Sequence, residues 1–127
     1  MKKFFLAMML VITLTLANTC TAQDIWVDHW QSENFDIYAM DDTLRGDTNE
    51  HGRYFKVSCK MIKNGQLQQI VNWTFSQMIF NGQYDNWRYE TSTMRGAHTS
   101  IVYNSKLFEF CMNKLGWSYN KHDGYYN

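Results

Sequence analysis

The chain has 127 residues, with twelve basic and twelve acidic side chains, so its formal net charge is zero. The basic residues are scattered, which argues against nucleic acid as a partner and against a polybasic contact with a membrane surface. Proline is absent and aromatic residues make up 17% of the chain, a density that indicates a folded β-rich domain and argues against disorder.

Residues 1–22 have the pattern of a secretory signal peptide. Two lysines precede an apolar run over 4–16, which is too short to span a bilayer comfortably, so no membrane span is predicted. Small residues before the predicted site favour cleavage after Ala22. The alternative is a lipoprotein anchored at Cys20, although the threonine before this cysteine fits that pattern poorly. Residues 23–127 then form one small exported domain, periplasmic or secreted.

The segment 23–34 is compatible with one helical turn or with a short strand. The alternation of apolar and polar residues over 35–40 predicts the first strand. The segment 41–52 is polar and contains glycines at 46 and 52, which predicts an exposed loop.

The centre of the chain consists of two alternating runs that meet at Asn64 and Gly65, the strongest local signal for a β-hairpin. A two-residue turn would place apolar side chains opposite polar ones. A three-residue loop beginning at Lys63 brings the apolar side chains onto one face, and we therefore predict that loop. The predicted pairs are Met61 with Leu67, Cys59 with Gln69, Val57 with Val71 and Phe55 with Trp73.

A second hairpin is predicted from runs over 87–93 and 98–103, after a connection over 77–86 with a turn at Asn81-Gly82. The same three-residue loop, here over 94–96, pairs Trp87 with Tyr103, Tyr89 with Ile101 and Thr91 with Thr99. The opposite face of this hairpin then carries Arg88, Glu90, Ser92, His98 and Ser100.

A helix is predicted over 106–115, capped by Ser105 and ended by Gly116. Its apolar stripe must pack on the apolar face of the sheet. A last short strand is considered over 117–119, and 121–127 is predicted to be a mobile tail. The predicted fold is α+β, an antiparallel β-meander of about five strands with a C-terminal helix packed on one face. The alternative is a small closed β-barrel with the helix as a plug.

Cys59 and Cys111 are the only cysteines that remain after removal of 1–22. Cys59 is predicted to point into the core and Cys111 to lie on the apolar stripe of the helix, which would place both thiols in one core layer. Export would place them where disulfides form and persist. We therefore predict a disulfide between them, with two buried free thiols as the alternative.

Motifs for chemistry are sparse. The four histidines show no metal-ligand spacing, and the chain has no nucleophile elbow, phosphate loop or dinucleotide fingerprint, so no cofactor or metal is expected. Glu90 and His98, with Arg88 nearby, form the one candidate acid–base group, although a solvated sheet face would look the same. Three tryptophans outside the best-defined strands are candidate binding residues, with core closure as the simpler reading: Trp26, Trp30 and Trp117.

The first functional hypothesis is therefore a non-catalytic exported domain of the cell envelope or the medium that binds a protein or a glycan. One alternative is an inhibitor of a host or competitor enzyme. The other is a small hydrolase or enzyme subunit that uses Glu90 and His98.

Overall fold

A computed structural model of the chain describes residues 24–94 and 98–127. The predicted signal peptide over 1–22, the alternative anchor at Cys20 and most of the predicted loop over 94–96 lie outside the described residues. The secondary structure consists of β1 (Asp24–Trp30), β2 (Phe35–Asn49), β3 (Gly52–Lys63), β4 (Gln66–Phe80), β5 (Gln83–Tyr84), β6 (Arg88–Thr91), β7 (Ser100–Ile101), α1 (Lys106–Leu115), β8 (Lys121–His122) and β9 (Tyr125–Tyr126).

The predicted fold class is confirmed. The described strands form an antiparallel sheet in the order β1-β2-β3-β4-β6-β7, with β5 paired to the end of β4 and with β8 and β9 in a separate small sheet. The main sheet is open, since β1 and β7 are its edges, so the closed alternative is not adopted. We call the face that carries the core and α1 the inner face, and the opposite face the outer face.

The first two strands extend further than predicted. Residues 24–30 of the ambiguous N-terminal segment form β1. The segment predicted as a loop over 41–52 is mostly strand, because Arg45 to Asn49 pair with β3. A register shift after Met40 makes this pairing possible. At the shift the Thr43 hydroxyl donates to the Met40 carbonyl (2.6 Å) and accepts from the backbone N–H of Ser58 (2.9 Å). Polar side chains are no obstacle here, since this end of β2 is exposed.

The turn between β3 and β4 has two residues, so the predicted three-residue loop is wrong. Asn64 and Gly65 both have positive φ (50° and 75°), as a tight hairpin turn requires. A β-bulge at Gln68 then shifts the register, because Ile62 is paired with Leu67 while Met61 is paired with Gln69. The extra residue turns the following side chains of β4 over, so that its apolar side chains lie on the same face as those of β3. The predicted three-residue loop would achieve the same result.

The inner face of this hairpin is largely as predicted, although its partners differ. Phe55 lies opposite Phe75, and Cys59 lies opposite Val71. Leu67 is 52% exposed and does not belong to this face, so that part of the prediction is wrong. The predicted residues that the core does bury are Phe55, Val57, Cys59, Met61 and Val71, with Trp73 half-buried.

The predicted register of the second hairpin is also wrong, by one residue. Tyr89 is paired with Ser100 instead of Ile101, and a slip of one residue turns every side chain over. As a result Val102 is buried while Ile101 and Tyr103 are exposed. The backbone N–H of Val102 donates to the Trp87 carbonyl (2.9 Å), which holds this register where the chain leaves β7 for the helix.

The helix forms as predicted. The Ser105 hydroxyl accepts a hydrogen bond from the Phe108 backbone N–H (3.1 Å), and Gly116 ends the helix with a φ of 70°. Phe108 is fully buried at the centre of the core. Aromatic rings pack around it with centroids between 4.5 and 6.0 Å away, from Phe55, Phe75, Trp87, Tyr119 and Tyr126.

The C-terminal segment is docked, so the predicted mobile tail is wrong. Strands β8 and β9 form a hairpin, and Tyr126 of β9 is 0% exposed. The Tyr126 carbonyl accepts from the backbone N–H of Trp87 (2.8 Å), and the Gly124 carbonyl accepts from that of Asn104 (2.9 Å). The short strand considered over 117–119 does not form; Trp117 packs against the core instead.

The predicted disulfide is absent. Cys59 and Cys111 are free thiols, both fully buried in the core cluster, where they pack as small apolar side chains. Burial raises the pKa of Cys59 to about 12, and burial together with the nearby Cys59 raises the pKa of Cys111. Both thiols thus belong to one core cluster, while the bond between them does not form.

Candidate binding groove

The six predicted site residues do not come together. Trp26 is on the outer face of β1 and is 51% exposed, whereas Trp30 is half-buried on the inner face of the same strand. Trp117 is half-buried against the core beyond the helix. The remaining three are an outer-face pair on β6 and an exposed residue before β7: Arg88, Glu90 and His98.

The predicted acid–base pair is not assembled. Among the described residues no hydrogen bond or ion pair joins Glu90 to His98. Arg88 instead donates to Thr99, from Nε to the hydroxyl (2.6 Å) and from a terminal nitrogen to the carbonyl (2.8 Å). These contacts fix the arginine as part of the β6–β7 pairing.

A different polar cluster lies on the outer face of β1 and β2. The Asp36 carboxylate accepts from the Trp26 indole N–H (3.0 Å) and contacts His29 Nδ1 at 2.9 Å. The hydrogen bond from Trp26 lowers the pKa of Asp36 below its ordinary value, and the hydrogen bond with His29 is the second largest cause of this shift. We call these three residues the Asp36 cluster. It joins a carboxylate to an imidazole but has no serine or cysteine nucleophile bonded to it among the described side chains.

An aromatic groove lies on the inner face, and we define it by Trp30, Trp73 and Tyr89. Two cavities, of about 190 and 210 Å³, share these three side chains as walls. The first cavity extends along β4 to Phe75, and the second extends the other way to Gln69. The cavities therefore follow one another along β4, with Trp73 between them.

The rings of the groove are held rigidly by their packing. Trp73 is stacked on the fully buried Phe75, with centroids 5.8 Å apart and planes 9° from parallel. The Tyr89 ring packs beside the Trp73 ring with centroids 5.3 Å apart, and the Trp30 ring contacts the Trp73 ring edge-on with centroids 6.2 Å apart. Since Phe75 belongs to the core, the orientation of the exposed ring surfaces is fixed before any ligand arrives.

Short polar groups surround the aromatic walls. Asp28, Asn104 and Ser105 line the first cavity, and Thr91 and Thr93 line the second. Together they offer a carboxylate, an amide and hydroxyls, which can both donate and accept hydrogen bonds. A ligand with an apolar face and several hydroxyl groups would find partners for both of its surfaces here.

α1 is much shorter than the longest strands of the sheet, and Ser105 and Leu107 at its beginning line the first cavity. A helix of ten residues is about 15 Å long, whereas the fifteen residues of β4 extend over about 50 Å. Sequence reasoning identified Trp30 but assigned Trp73 and Tyr89 to the buried sheet face. The signal that could have found them is this mismatch in length, which leaves part of an apolar face uncovered.

Comparisons of the chain with protein-family models, with curated proteins and with solved structures found no match. In the described part of the chain no helix is long and apolar enough to cross a membrane. The described residues also contain no group of three or more His, Cys, Asp or Glu side chains that could hold a metal ion.

Proposed function

We propose that this protein is a non-catalytic exported domain that binds a neutral glycan in the aromatic groove. The observation that carries the proposal is the pair of adjoining cavities walled by Trp30, Trp73 and Tyr89. The C–H bonds on one face of a sugar ring pack against an aromatic ring, while its hydroxyl groups seek donors and acceptors at the edges.

The size of the cavities favours single sugar rings over a bulkier ligand. Each is smaller than the 300 to 1,000 Å³ that is usual for small-molecule pockets, whereas their succession along β4 suits consecutive units of an oligosaccharide. A protein partner would need a contact area of about 1,000 Å² or more, whereas the groove consists of two small concave cavities. A glycan is therefore the better match to the groove.

The test is a titration of the protein with neutral oligosaccharides built from glucose, xylose or N-acetylglucosamine, followed by tryptophan fluorescence and calorimetry. At least one series should bind saturably and change the emission, since Trp30 and Trp73 line the groove. Trp30→Ala should weaken binding about tenfold or more, as expected for the loss of a central aromatic contact. The matched controls are Trp26→Ala, an exposed tryptophan on the other face of the same strand, and Glu90→Gln.

Two results would overturn the proposal. One is the absence of binding by all three series to the folded wild-type protein. The other is an equal loss of affinity in Trp26→Ala and Trp30→Ala, which would place the ligand outside the groove. Chromatography of the oligosaccharides after incubation tests the non-catalytic part, because cleavage that is lost in Glu90→Gln would instead support the hydrolase alternative.

A further inference from the structure

A second site lies away from the groove, around Arg53 of β3. Its guanidinium carbon lies 5.2 Å from the ring centroid of Trp87, 5.3 Å from that of Tyr84 and 5.5 Å from that of Trp117. Contacts at this distance are favourable for a cation over an aromatic face. The three rings therefore hold the guanidinium in one position without neutralising its charge.

Gln77 fixes the orientation of this guanidinium. Its side-chain oxygen accepts from Nε (3.2 Å) and from one terminal nitrogen (2.7 Å) of Arg53. Gln77 is only 1% exposed, and its amide nitrogen donates to the Asp85 carbonyl (2.9 Å), so the amide cannot turn over without losing these bonds. One edge of the arginine is thus occupied by a neutral acceptor, and the end-on edge with its two terminal nitrogens points away from that acceptor.

The charge of Arg53 has no counter-ion in the residues that the structure describes. No carboxylate there lies within 4.0 Å of its nitrogens, and its second terminal nitrogen makes no hydrogen bond to a described group. An arginine that is half-buried, oriented and unpaired favours binding of an anion.

A cavity of about 370 Å³ is open beside this arginine. Arg53 and Gln77 form one side of it, and Tyr84 and Tyr119 supply aromatic walls. Asn120 also lines the cavity, and two backbone hydrogen bonds with Asn127 hold it in place (2.7 and 2.9 Å). The cavity combines one positive charge with two aromatic walls and a polar remainder, and its volume falls in the range of small-molecule sites. The residues that complete its lining are Ser118 and Asn127.

The geometry points to a binding site for a small ring-bearing carboxylic acid. The carboxylate would accept two parallel hydrogen bonds from the end-on edge of Arg53, and the ring would lie between Tyr84 and Tyr119. A carboxylate matches the planar arginine edge with two oxygens. A tetrahedral anion such as sulfate would leave its other charged oxygens against the tyrosine rings, so it fits less well.

The test uses benzoate and cyclohexanecarboxylate as probes, with benzamide as the neutral counterpart of benzoate. Binding is measured by calorimetry and by the chemical shift of the Arg53 Nε–H in NMR spectra of the folded protein. Both carboxylates should bind saturably and shift this resonance, and benzamide should bind at least about tenfold more weakly. Arg53→Lys should lose about tenfold in affinity for benzoate, because lysine lacks the planar pair of donors.

Two further variants separate the site from general effects. Asn120→Asp leaves the core untouched and should weaken benzoate binding by placing a negative charge on the rim. Arg88→Lys changes an arginine bonded to Thr99 on the outer face and should leave binding unchanged. The inference fails if neither carboxylate binds, if benzamide or inorganic sulfate binds as tightly as benzoate, or if Asn120→Asp has no effect. These outcomes are independent of oligosaccharide binding in the groove.

Discussion

Replacement of Tyr126 by phenylalanine tests the docking of the C-terminal hairpin. The Tyr126 hydroxyl accepts from the Ser105 backbone N–H (2.9 Å) and donates to a carboxylate oxygen of Glu109 (2.9 Å). It therefore connects β9 to the beginning of the helix. Phenylalanine keeps the buried ring and its contact with Phe108, so the substitution removes these hydrogen bonds without creating a cavity.

The expected loss of stability can be worked from these two bonds. A hydrogen bond to a charged group contributes about 1.5–3 kcal/mol and a neutral one about 0.5–1.5 kcal/mol. Glu109 is only half-buried, so water can solvate its carboxylate in part when the phenol is removed, and Lys121 Nζ stays 3.7 Å from it. Both effects reduce the loss. We therefore expect a decrease in the free energy of unfolding of about 2 kcal/mol, equivalent to roughly 10 °C in Tm for a domain of this size.

Urea unfolding followed by tryptophan fluorescence measures this loss, since the midpoint should fall while the slope stays constant. Tyr125→Phe is the matched control: Tyr125 is 42% exposed, and its hydroxyl has no partner among the described groups. That variant should stay within about 0.5 kcal/mol of wild type. If Tyr126→Phe is equally stable, the hairpin is not docked and the C-terminal part of the fold is wrong.

The pH dependence gives a second measurement on the same residue. Burial, followed by the hydrogen bond to Glu109, raises the pKa of Tyr126 above its ordinary value of about 10. In this situation the folded state retains the phenol proton that the unfolded chain loses. The stability that the protonated Tyr126 phenol contributes is complete below the ordinary pKa and decreases as the pH rises above that pKa. The difference in stability between wild type and Tyr126→Phe should therefore shrink above about pH 10.

Two further predictions concern the thiols and the Asp36 cluster. Burial raises the pKa of Cys59 to about 12 and also raises the pKa of Cys111. Neither thiol should therefore react with a disulfide reagent at neutral pH until the protein is unfolded. Rapid labelling of the native protein would contradict the buried placement of the thiols. Removal of the hydrogen bond in Trp26→Phe, or of the imidazole in His29→Ala, should raise the pKa of Asp36 in an NMR titration. The pKa of Asp36 is lower in the folded protein than in the unfolded chain, so any stability that the Asp36 carboxylate contributes is lost as the pH falls through the folded pKa. An unchanged titration of Asp36 in both variants would refute the cluster.

The helix could be predicted in full because its signals are local. The cap at Ser105, the stop at Gly116 and the apolar stripe between them all lie within one short segment. The antiparallel meander could be predicted for a similar reason, since turn residues and alternation identify neighbouring strands. These features need no knowledge of distant parts of the chain.

The register of the central hairpin could not be predicted because β-bulges leave no clear trace in the sequence. Gln68 adds one residue to β4 and Val27 adds one to β1, and neither is the glycine that one type of bulge uses. Each extra residue reverses the facing of all side chains beyond it. At Asn64 and Gly65 the two-residue turn forms although the alternation argues against it, because the bulge beyond the turn makes it compatible with a buried face.

The C-terminal hairpin and the groove depend on what the helix leaves uncovered, which is a property of the assembled fold. Tyr126 lies in an exposed-looking polar segment, but it fills the space beside Phe108 and Trp87. Trp73 and Tyr89 look like core residues in the alternating pattern, but they are only half-buried and line both cavities of the groove. An apolar strand pattern thus establishes which face a side chain is on. Only the reach of the covering elements decides whether that side chain becomes core or binding surface.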